Sequence, residues 1–317
     1  MKLSVLVPAY NLQDYIVPCL LSVLEQETDF DYEVIVCDDA STDDTAAKIA
    51  QIASLFPLKL RCIYKTSNAG LAGNMQTLLA ACRGDYIAYM DGDDLALPSK
   101  LQTQVDYLDA HGDCHMVYHE SDMFDSVSDK TIKLYSQEFY NWSYIPARSN
   151  IEHMIKFGSY MQASSAMFRR HNHLLDAVAG DCKIIFDYAF YILNAGFLQA
   201  NIDFIPQVLG RYRIHENSFG QQTSRSFTRR EQSLQDIELA CHLAKQFDVS
   251  DMVIAQGIAH HQFAAALYFL TRNEQTLFLK YIELSAAQQW FFNDKHQLAY
   301  DLRLQPQQLL QRLQGAI

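Results

Sequence analysis

The fold is decided by the stretch AYMDGDDLALPSK, residues 88–100, in which a short apolar run ends in a turn with three aspartates. The apolar residues are typical of a buried strand, and Asp91, Asp93 and Asp94 follow it directly. Three carboxylates in one tight turn repel each other, so this acidic turn (residues 91–94) is costly unless a positive charge offsets the repulsion. Two interpretations stay open: a site for Mg²⁺ or Mn²⁺, or a solvated turn in which Asp94 caps the next helix.

Upstream of the acidic turn, apolar runs alternate with segments of helical periodicity. The predicted strands are residues 3–7, YEVIVCDD, LKLRCIYK and DYIAYMD, and the predicted helices are residues 13–26, STDDTAAKIAQIA and GLAGNMQTLLAAC. This β-α-β-α-β-α-β order predicts an α/β fold, Rossmann-like, with a mainly parallel sheet flanked by helices.

A short, mostly polar segment stands at the end of each predicted strand. These segments are Pro8, Ala9, Tyr10 and Asn11 after the first strand, Asp38 and Asp39 after the second, Asn68 after the third, and the acidic turn after the fourth. Ligands of parallel sheets bind at the carboxyl ends of the strands, where these loops converge. The sequence therefore predicts a binding site at this edge.

Beyond Pro98 the pattern loosens. A helix over 100–110, the strand CHMVYHE, an irregular polar and aromatic insertion over 125–150, the strand SSAMF, a helix over 184–194 and the strand GRYRIH are predicted in that order. From about residue 223 the composition shifts to Gln, Ala, Leu and Glu with helical periodicity. We predict one domain over 1–222 and a C-terminal all-α domain of about four helices over 223–317.

Composition narrows the class of protein. The chain has 317 residues with a formal net charge of -12, which argues against a general affinity for nucleic acid. The seven cysteines are scattered singly, as in a cytoplasmic protein with reduced thiols, and no apolar run has the length of a membrane span. We expect a cytoplasmic protein, with association at the inner face of the membrane as an open alternative.

The segment after the first strand excludes several nucleotide-binding classes. It reads PAYNLQD and has no glycine, whereas dinucleotide-binding folds and P-loop proteins need a glycine-rich phosphate loop there. A nucleotidyltransferase would also need a glycine-rich, basic loop at this place. A phosphatase that forms an aspartyl phosphate would carry its D-x-D after the first strand, not the fourth.

Five separated segments together resemble the family 2 glycosyltransferases, which have the GT-A fold. They are SVLVPAYN, EVIVCDDASTDDT, NAGLAGN, AYMDGDDLALPSKL and GRYRIHENS, in the order and approximate spacing of that family. The resemblance covers roughly the first 220 residues and does not extend to the helical tail.

The resemblance implies a role for particular residues. Donor binding falls to Pro8, Ala9, Tyr10, Asn11, Asp38, Asp39, Asn68, Gly70, Asn74, Asp91, Asp94 and Arg213. A divalent cation, Mn²⁺ or Mg²⁺, would be bound by Asp93 and His215. Taken alone, a single histidine such as His215 is more often a structural residue than a ligand, and Arg213 fits equally well as a brace for the acidic turn. A carboxylate at Asp39 can accept the N3 hydrogen of uracil, which favours a uridine nucleotide.

A base is also required to deprotonate the acceptor hydroxyl. The family usually carries an acidic pair at the start of a helix after the middle of the domain, and the matching segment here is KIIFDYAFYILNAG. Asp187 survives, but its neighbour is Phe186, so Asp187 is the predicted base and Asp181 the reserve. The alternative for Asp187 is an ion pair with Lys183, one helical turn earlier.

The function that the resemblance implies is transfer of a sugar, with inversion, from a nucleotide diphosphate sugar to a hydroxyl of a glycan or lipid-linked acceptor in cell-surface polysaccharide synthesis. The other hypothesis is a scaffold or binding protein that keeps the fold without transfer. The tail is expected to bind acceptor, a partner enzyme, a second copy or a membrane surface; its RSFTRRE segment offers three arginines for the last.

Overall fold

Three parallel crossovers in the first 90 residues build one half of a central sheet. The computed structural model of the chain describes residues 1–138, 142–216, 218–287 and 289–314. The elements are β1 (Leu3–Ala9), α1 (Ile16–Leu24), β2 (Tyr32–Asp38), α2 (Thr45–Leu55), β3 (Leu60–Tyr64), α3 (Gly70–Ala81) and β4 (Tyr86–Tyr89). The predicted strand and helix order is confirmed here.

The register of these strands determines which loops meet. β1 pairs in parallel with β2 along its whole length, from Leu3 opposite Tyr32 to Ala9 opposite Asp38. Every residue of both strands is buried, which explains why they read as continuous apolar runs rather than alternating ones. Because the two strands end together, the loops that follow them lie side by side.

The second half of the sheet is mixed. Its elements are β5 (Leu95–Ala96), α4 (Lys100–Ala110), β6 (Met116–Asp125), β7 (Thr131–Leu134), β8 (Arg148–Ser149), α5 (Ile151–Phe157), β9 (Met167–Arg169), α6 (Phe186–Leu198) and β10 (Ile202–Ile214). The strand order is β3-β2-β1-β4-β9-β6-β10-β5, with β7 beside β6 and β8 beside β10. β9 runs antiparallel between β4 and β6 and joins the two halves.

Two strands of this half are longer than the sequence predicts. β6 and β10 pair with each other in parallel from Met116 opposite Ile202 to Asp125 opposite Ile214, through two bulges. The part of 125–150 that the structure describes contains β7, β8 and two short 3₁₀ segments, so the predicted insertion carries strands at both ends. Pairing with a distant partner, which local sequence does not show, supports these extensions.

The helical tail follows β10. Its elements are α7 (Phe219–Arg225), α8 (Phe227–Leu243), α9 (Asp251–Thr271), α10 (Gln275–Ser285), α11 (Asp294–Asp301) and α12 (Pro306–Gln314). Cys241 of α8 and Val253 of α9 share a buried cluster with Tyr188 of α6, whereas Phe263 and Phe278 belong to a second cluster within the tail. The predicted boundary after residue 222 lies inside α7, and the main core crosses it. Within the described ranges, none of the helices combines the length and the apolar character that crossing a bilayer requires.

A charged network stabilises the amino ends of β1 and β2, opposite the predicted site. Glu33 is 2% exposed and accepts hydrogen bonds from Ser4 Oγ, Arg61 Nη1 and Arg83 Nη2, each at 2.8 Å. Burial opposes ionisation of this carboxyl, but the hydrogen bonds from Arg83, Arg61 and Ser4 outweigh it and lower the pKa of Glu33 to about 2.

Candidate active site

The acidic turn is stabilised by side chains from the segment before β9. Asp91 N–H donates to Ser164 Oγ at 2.9 Å, and the same hydroxyl donates to Asp94 Oδ2 at 2.6 Å. Gln162 Nε2 also donates to Asp94 Oδ2, at 2.8 Å. Asp94 is only 1% exposed, so its carboxylate is used inside the protein as the anchor of the turn. Asp94 therefore positions the turn from inside the protein, and donor binding by Asp94 stays a proposal.

Gly92 allows the turn to lie against the first loop. A Cβ at this position would lie 2.7 Å from Leu12 Cδ1 and 3.0 Å from the carbonyl oxygen of Pro8. Only glycine fits that approach without displacing a neighbour. The spacing of the aspartates around Gly92 thus follows from close packing against the end of β1.

The pairing of β5 with β10 brings His215 to the turn. These strands are antiparallel, with Arg211 opposite Leu95. Continued for two residues, that register places Arg213 opposite Asp93, and Arg213 Nε donates to the Asp93 carbonyl oxygen at 2.7 Å. His215 Nε2 then lies 2.9 Å from Asp93 Oδ2. Two predicted metal ligands, 122 residues apart in sequence, are in direct contact.

Arg213 itself has the bracing role that its sequence context left open. Its backbone N–H donates to Asp94 Oδ1 at 2.9 Å, and its guanidinium lies over the rings of Phe124 and Tyr15. Tyr15 also packs on the imidazole of His215, with ring centroids 4.4 Å apart. Contact between Arg213 and donor phosphates stays a proposal.

The site is strongly electronegative. Burial raises the pKa of Asp91 well above its ordinary value, and the charges of Asp94 and Asp93 raise it further. Burial, with the charge of Asp93, raises the pKa of Asp94 to about 7. Tyr89 donates its hydroxyl to Asp91 Oδ1. In the described part of the chain no lysine or arginine makes an ion pair with these carboxylates, so a bound cation would relieve their repulsion.

Asp187 faces the same region from the first turn of α6. Burial raises the pKa of this carboxyl, and hydrogen bonds from the backbone N–H groups of Tyr188 and Asp187 itself partly oppose the rise. Tyr191, one turn after Asp187 on α6, donates its hydroxyl to the carbonyl oxygen of Ala163 at 2.7 Å, between the two residues that hold the acidic turn. The charge of Asp187 accordingly contributes to the raised pKa values of Tyr89 and Asp91. Within the described residues Asp187 has no ion pair with Lys183. Phe186 packs in the core against Phe190, with ring centroids 5.5 Å apart.

The loops after β1 and β2 are joined at the same edge. Asn11 has a positive φ of 53°, donates its N–H to Ser41 Oγ at 2.9 Å and accepts from Thr42 N–H at 2.8 Å. Asp39 N–H donates, at 2.9 Å, to the carbonyl oxygen of Ala9, the last residue of β1. Pro8 and Ala9 are buried, whereas Tyr10 is 46% exposed beside them.

The two aspartates after β2 differ in their surroundings. Asp39 makes an ion pair with Lys65 at 3.1 Å and accepts from Ala69 N–H, so it anchors the start of α3. Asp38 Oδ2 accepts from Ser41 N–H at 3.1 Å, while Oδ1 is buried with no hydrogen-bond partner among the described residues. A buried carboxylate oxygen without a partner is a candidate acceptor for a ligand donor.

The residues predicted around α3 are placed less favourably. Asn68 is exposed and its Oδ1 accepts from Gly70 N–H at 3.0 Å, which begins the helix at a glycine with φ of 73°. Asn74 is 2% exposed and donates Nδ2 to the carbonyl oxygen of Cys37 at 2.9 Å. Asn74 therefore fastens α3 to β2, and donor contacts by Asn68, Gly70 and Asn74 remain proposals.

The protein supplies only some of the ligands that a divalent cation needs at this site. Among the described residues no group of three Asp, Glu, His or Cys side chains has metal-binding geometry. Asp93 and His215 supply one carboxylate and one imidazole, and Mg²⁺ and Mn²⁺ ordinarily add water and phosphate oxygens to so few protein ligands. The unrelieved charge of the turn and this pair of ligands fit a cation that arrives with a phosphorylated donor.

The sequence missed several residues of the site. Gln162, Ser164 and Tyr15 contact the acidic turn or its histidine, but nothing in their local sequence distinguishes them. Lys100 is buried, and its Nζ donates to the carbonyl oxygen of Ser164. Burial lowers the pKa of Lys100 to about 8, although the charge of Asp94 opposes this. From its position directly after Pro98 and Ser99, the sequence predicts only that Lys100 begins a helix.

Sequence comparison agrees with this geometry. Residues 4–175, more than half of the chain, match the sequence model of the family described as Glycosyl transferase family 2. The chain belongs to this family. The resemblance read from the five segments is thereby confirmed.

Relatives of this family 2 chain differ in how much of it they share. An uncharacterized protein of Mycobacterium tuberculosis is 31% identical over 216 residues, which are 67% of this chain and 59% of that protein. The putative glycosyltransferase EpsE of Bacillus subtilis is 37% identical over 110 residues, covering 35% of this chain and 39% of EpsE. The Escherichia coli protein WfaP, a UDP-Glc:alpha-D-GlcNAc-diphosphoundecaprenol beta-1,3-glucosyltransferase, is 25% identical over 248 residues, covering 75% and 88%.

Solved structures confirm the fold of this family 2 chain. TarS 1-349 of S. aureus in complex with UDP-GlcNAc superposes with a TM-score of 0.63 at 20% identity, covering 96% of this chain and 85% of that one. The mannosyltransferase PcManGT of Pyrobaculum calidifontis, in complex with GDP-Man and Mn²⁺, has a TM-score of 0.60 at 18% identity, covering 96% and 84%. At these identities the similarity establishes the α/β, GT-A-type fold with its helical C-terminal region.

Proposed function

We propose that this chain is a metal-dependent, inverting glycosyltransferase that moves a sugar from a UDP-sugar to a hydroxyl of a glycan or lipid-linked acceptor in cell-surface polysaccharide synthesis. One observation carries the proposal: the acidic turn, His215 and Asp187 converge at the carboxyl edge of the sheet. The convergence joins a cation-binding pair to a carboxylate with a raised pKa. A cation can stabilise the leaving diphosphate, and a carboxylate can deprotonate the attacking hydroxyl.

The donor nucleotide lies, in this proposal, against the loops after β1 and β2. Tyr10 offers an exposed ring, Asp39 a carboxylate for the uracil N3 hydrogen, and Asp38 an oxygen without a partner among the described residues. The UDP-GlcNAc and UDP complexes of TarS, and the UDP-Glc in the name of WfaP, support a uridine nucleotide. The GDP-Man of PcManGT shows that the fold alone does not select the base.

The cation would be held by Asp93 and His215. When bound, it supplies stabilisation of the negative charge that develops on the departing nucleoside diphosphate. Arg213 and Ser164 hold the turn in place around it, and Asp91 is available to the ribose or sugar of the donor. The Mn²⁺ in the PcManGT structure supports a metal of this kind.

The acceptor hydroxyl would be deprotonated by Asp187. Burial raises the pKa of this carboxyl, which makes its ionised form a stronger proton acceptor than an exposed aspartate. The resulting oxygen attacks the anomeric carbon from the face opposite the leaving group, and that inversion rests on the family resemblance. A lipid-linked acceptor is supported by the diphosphoundecaprenol in the name of WfaP.

The test is release of nucleoside diphosphate from a panel of nucleotide sugars with Mn²⁺. We expect release from a UDP-sugar, loss of release in Asp93→Asn and in His215→Ala, and no loss in Asp31→Asn, which changes an exposed aspartate. A wild-type chain that releases no diphosphate from any donor, with or without metal, would overturn the proposal.

The scaffold hypothesis has one structural observation in its favour. Phe186, where the family usually has an acid, is 3% exposed and packs in the core, so the second carboxylate is absent from the start of α6. The same panel separates the two functions, because a scaffold would bind acceptor without releasing diphosphate.

A further inference from the structure

Two arginines lie over the ring of one tyrosine of the tail, and a third stands beside a residue that this tyrosine contacts. Arg230 of α8 lies with its guanidinium carbon 5.2 Å from the centroid of the Tyr268 ring, and Arg272 lies 3.8 Å from the same centroid. Arg225 ends α7 and is exposed, and it follows Ser224, whose carbonyl oxygen accepts from the Tyr268 hydroxyl at 2.9 Å. We call Arg225, Arg230 and Arg272 the arginine cluster.

No carboxylate in the described part of the chain forms an ion pair with the arginine cluster. Within the described ranges, none of its three guanidinium groups makes an ion pair, and Arg230 Nε is buried without a hydrogen-bond partner. Burial lowers the pKa of Arg230, with a smaller contribution from the charge of Arg272. Glu231, the acid next in sequence, is instead engaged by Lys280 Nζ at 2.9 Å and the hydroxyl of Tyr281 at 2.7 Å.

The start of α8 adds positive potential at the same place. Its first turn contains no acid, although acids are favoured there because the free N–H groups and the helix dipole are positive. Ser226 Oγ accepts from Arg229 N–H at 3.3 Å, so Ser226 caps the helix. Arg230 and Arg272 have no ion-pair partner among the described residues and lie beside a helix amino terminus, so an external anion would relieve the repulsion between them.

The arginine cluster is connected to the candidate active site. α7, about 10 Å long at 1.5 Å per residue, leads from the segment of His215 to Arg225. Its end is fastened to α9, since Tyr268 donates its hydroxyl to the Ser224 carbonyl oxygen at 2.9 Å. On the other side, the charge of Arg230 reaches His261, whose Nε2 lies 3.4 Å from the hydroxyl of Tyr188, the residue after Asp187.

We propose that the arginine cluster binds the diphosphate group of a lipid-linked acceptor and so determines which acceptors reach Asp187. The guanidinium groups match phosphate oxygens in charge and in hydrogen-bonding geometry. The part of the helical tail where Arg230 and Arg272 lie over Tyr268 is thus an acceptor subsite. The identity of the ligand as acceptor rests on the proposed function, whereas the phosphate site can be tested without it.

The first experiment measures binding of inorganic pyrophosphate to the full chain by calorimetry, with EDTA present so that no metal-bound donor site contributes. We expect binding to the wild-type chain and roughly tenfold weaker binding in Arg230→Gln and in Arg272→Gln. Arg272 is exposed, so its substitution tests the proposal even if Arg230→Gln unfolds.

The matched control is Arg303→Gln. Arg303 also lies over a tyrosine, 4.1 Å from the centroid of Tyr300, but it is paired with Glu283 at 3.6 Å. Pyrophosphate affinity should not change in this variant. Equal weakening in Arg303→Gln, or unchanged affinity in both cluster variants, would overturn the proposal.

A second experiment distinguishes the source of the phosphate. A soluble short-chain prenyl diphosphate should displace pyrophosphate from the wild-type chain. The wild-type chain should bind vesicles of anionic phosphatidylglycerol no better than vesicles of phosphatidylcholine. Arg272→Gln should raise KM for a diphosphate-linked acceptor and leave donor hydrolysis unchanged. Binding to anionic vesicles without displacement by the prenyl diphosphate would overturn the acceptor assignment in favour of membrane docking. If the wild-type chain binds pyrophosphate but does not hydrolyse any donor, the result contradicts only the proposed function.

Discussion

Replacement of Glu33 by Gln removes a charge that the fold surrounds with donors. The carboxylate is 2% exposed at the amino ends of β1 and β2, where Arg61, Arg83 and Ser4 all donate to it. Glu33→Gln keeps the size of the side chain but turns an amide N–H₂ toward one of the guanidinium groups. We expect a less stable protein whose stability depends less on pH in the acid range.

The magnitude follows from the pKa of Glu33, which falls from 4.5 to about 2. Each unit of pKa difference is worth about 1.4 kcal/mol, which gives an upper limit of about 3.5 kcal/mol. Arg61 and Arg83 are 41% and 61% exposed, so solvent screening reduces their effect, and we expect a loss of about 1.5–2 kcal/mol at pH 7. The stabilisation is fully present above pH 4.5 and is lost as the pH falls through about 2.

The assay is urea unfolding of the wild-type chain and Glu33→Gln at pH 7, 5 and 3, followed by circular dichroism. The difference in unfolding free energy should shrink by about half between pH 5 and pH 3. Glu27→Gln, at an exposed position in the loop before β2, should show almost no difference at any pH. A Glu33→Gln difference below about 0.5 kcal/mol at pH 7, or one that stays constant down to pH 3, would refute the reasoning.

The other predictions concern the candidate active site. Ser164→Ala removes the hydroxyl that joins the Asp91 N–H to the Asp94 carboxylate, so donor hydrolysis should need about tenfold more Mn²⁺. Ser165→Ala is the control and should not change the requirement, because the Ser165 hydroxyl donates to the carbonyl oxygen of Gln162. Gly92→Ala should weaken the Mn²⁺ response by displacing the turn, and adding Leu12→Ala should recover part of it; metal titration of donor hydrolysis measures both. The pKa of Asp187 is raised, so kcat should fall as the pH drops through a value above the ordinary 3.8 of an aspartate, and Asp187→Asn should abolish transfer while a donor still binds by calorimetry.

The local part of the fold could be predicted from the sequence, because the strands of the first half are buried on both faces. Each of β1, β2 and β4 is a continuous apolar run bounded by turn residues, and parallel pairing follows from the helices between them. The extents of β6 and β10 could not be predicted, since they depend on pairing between residues about 90 positions apart. Long-range pairing of this kind leaves no local pattern to read.

The candidate site divides in the same way. A motif singles out Asp93, and an apolar context singles out Asp187. The residues that position these aspartates are not marked by any such pattern. Ser164 and Gln162 precede a three-residue strand, and they reach the acidic turn only because β9 inserts between β4 and β6. The sequence therefore predicts which groups do chemistry better than it predicts which groups position them.

The two ends of the sheet treat buried negative charge in opposite ways, and that contrast is the strongest physical argument for an external cation. At the amino edge, one carboxylate, Glu33, has two arginine partners, and its pKa is lowered. At the carboxyl edge, three carboxylates share only His215 as an ion-pair partner within the described ranges, and the pKa values of Asp91 and Asp94 are raised. Arg213 could have neutralised them, yet its Nε is directed to a backbone carbonyl oxygen. A fold that pairs arginines with a carboxylate at one edge, and among the described residues pairs none with the three aspartates at the other, leaves the positive charge of that edge to a ligand.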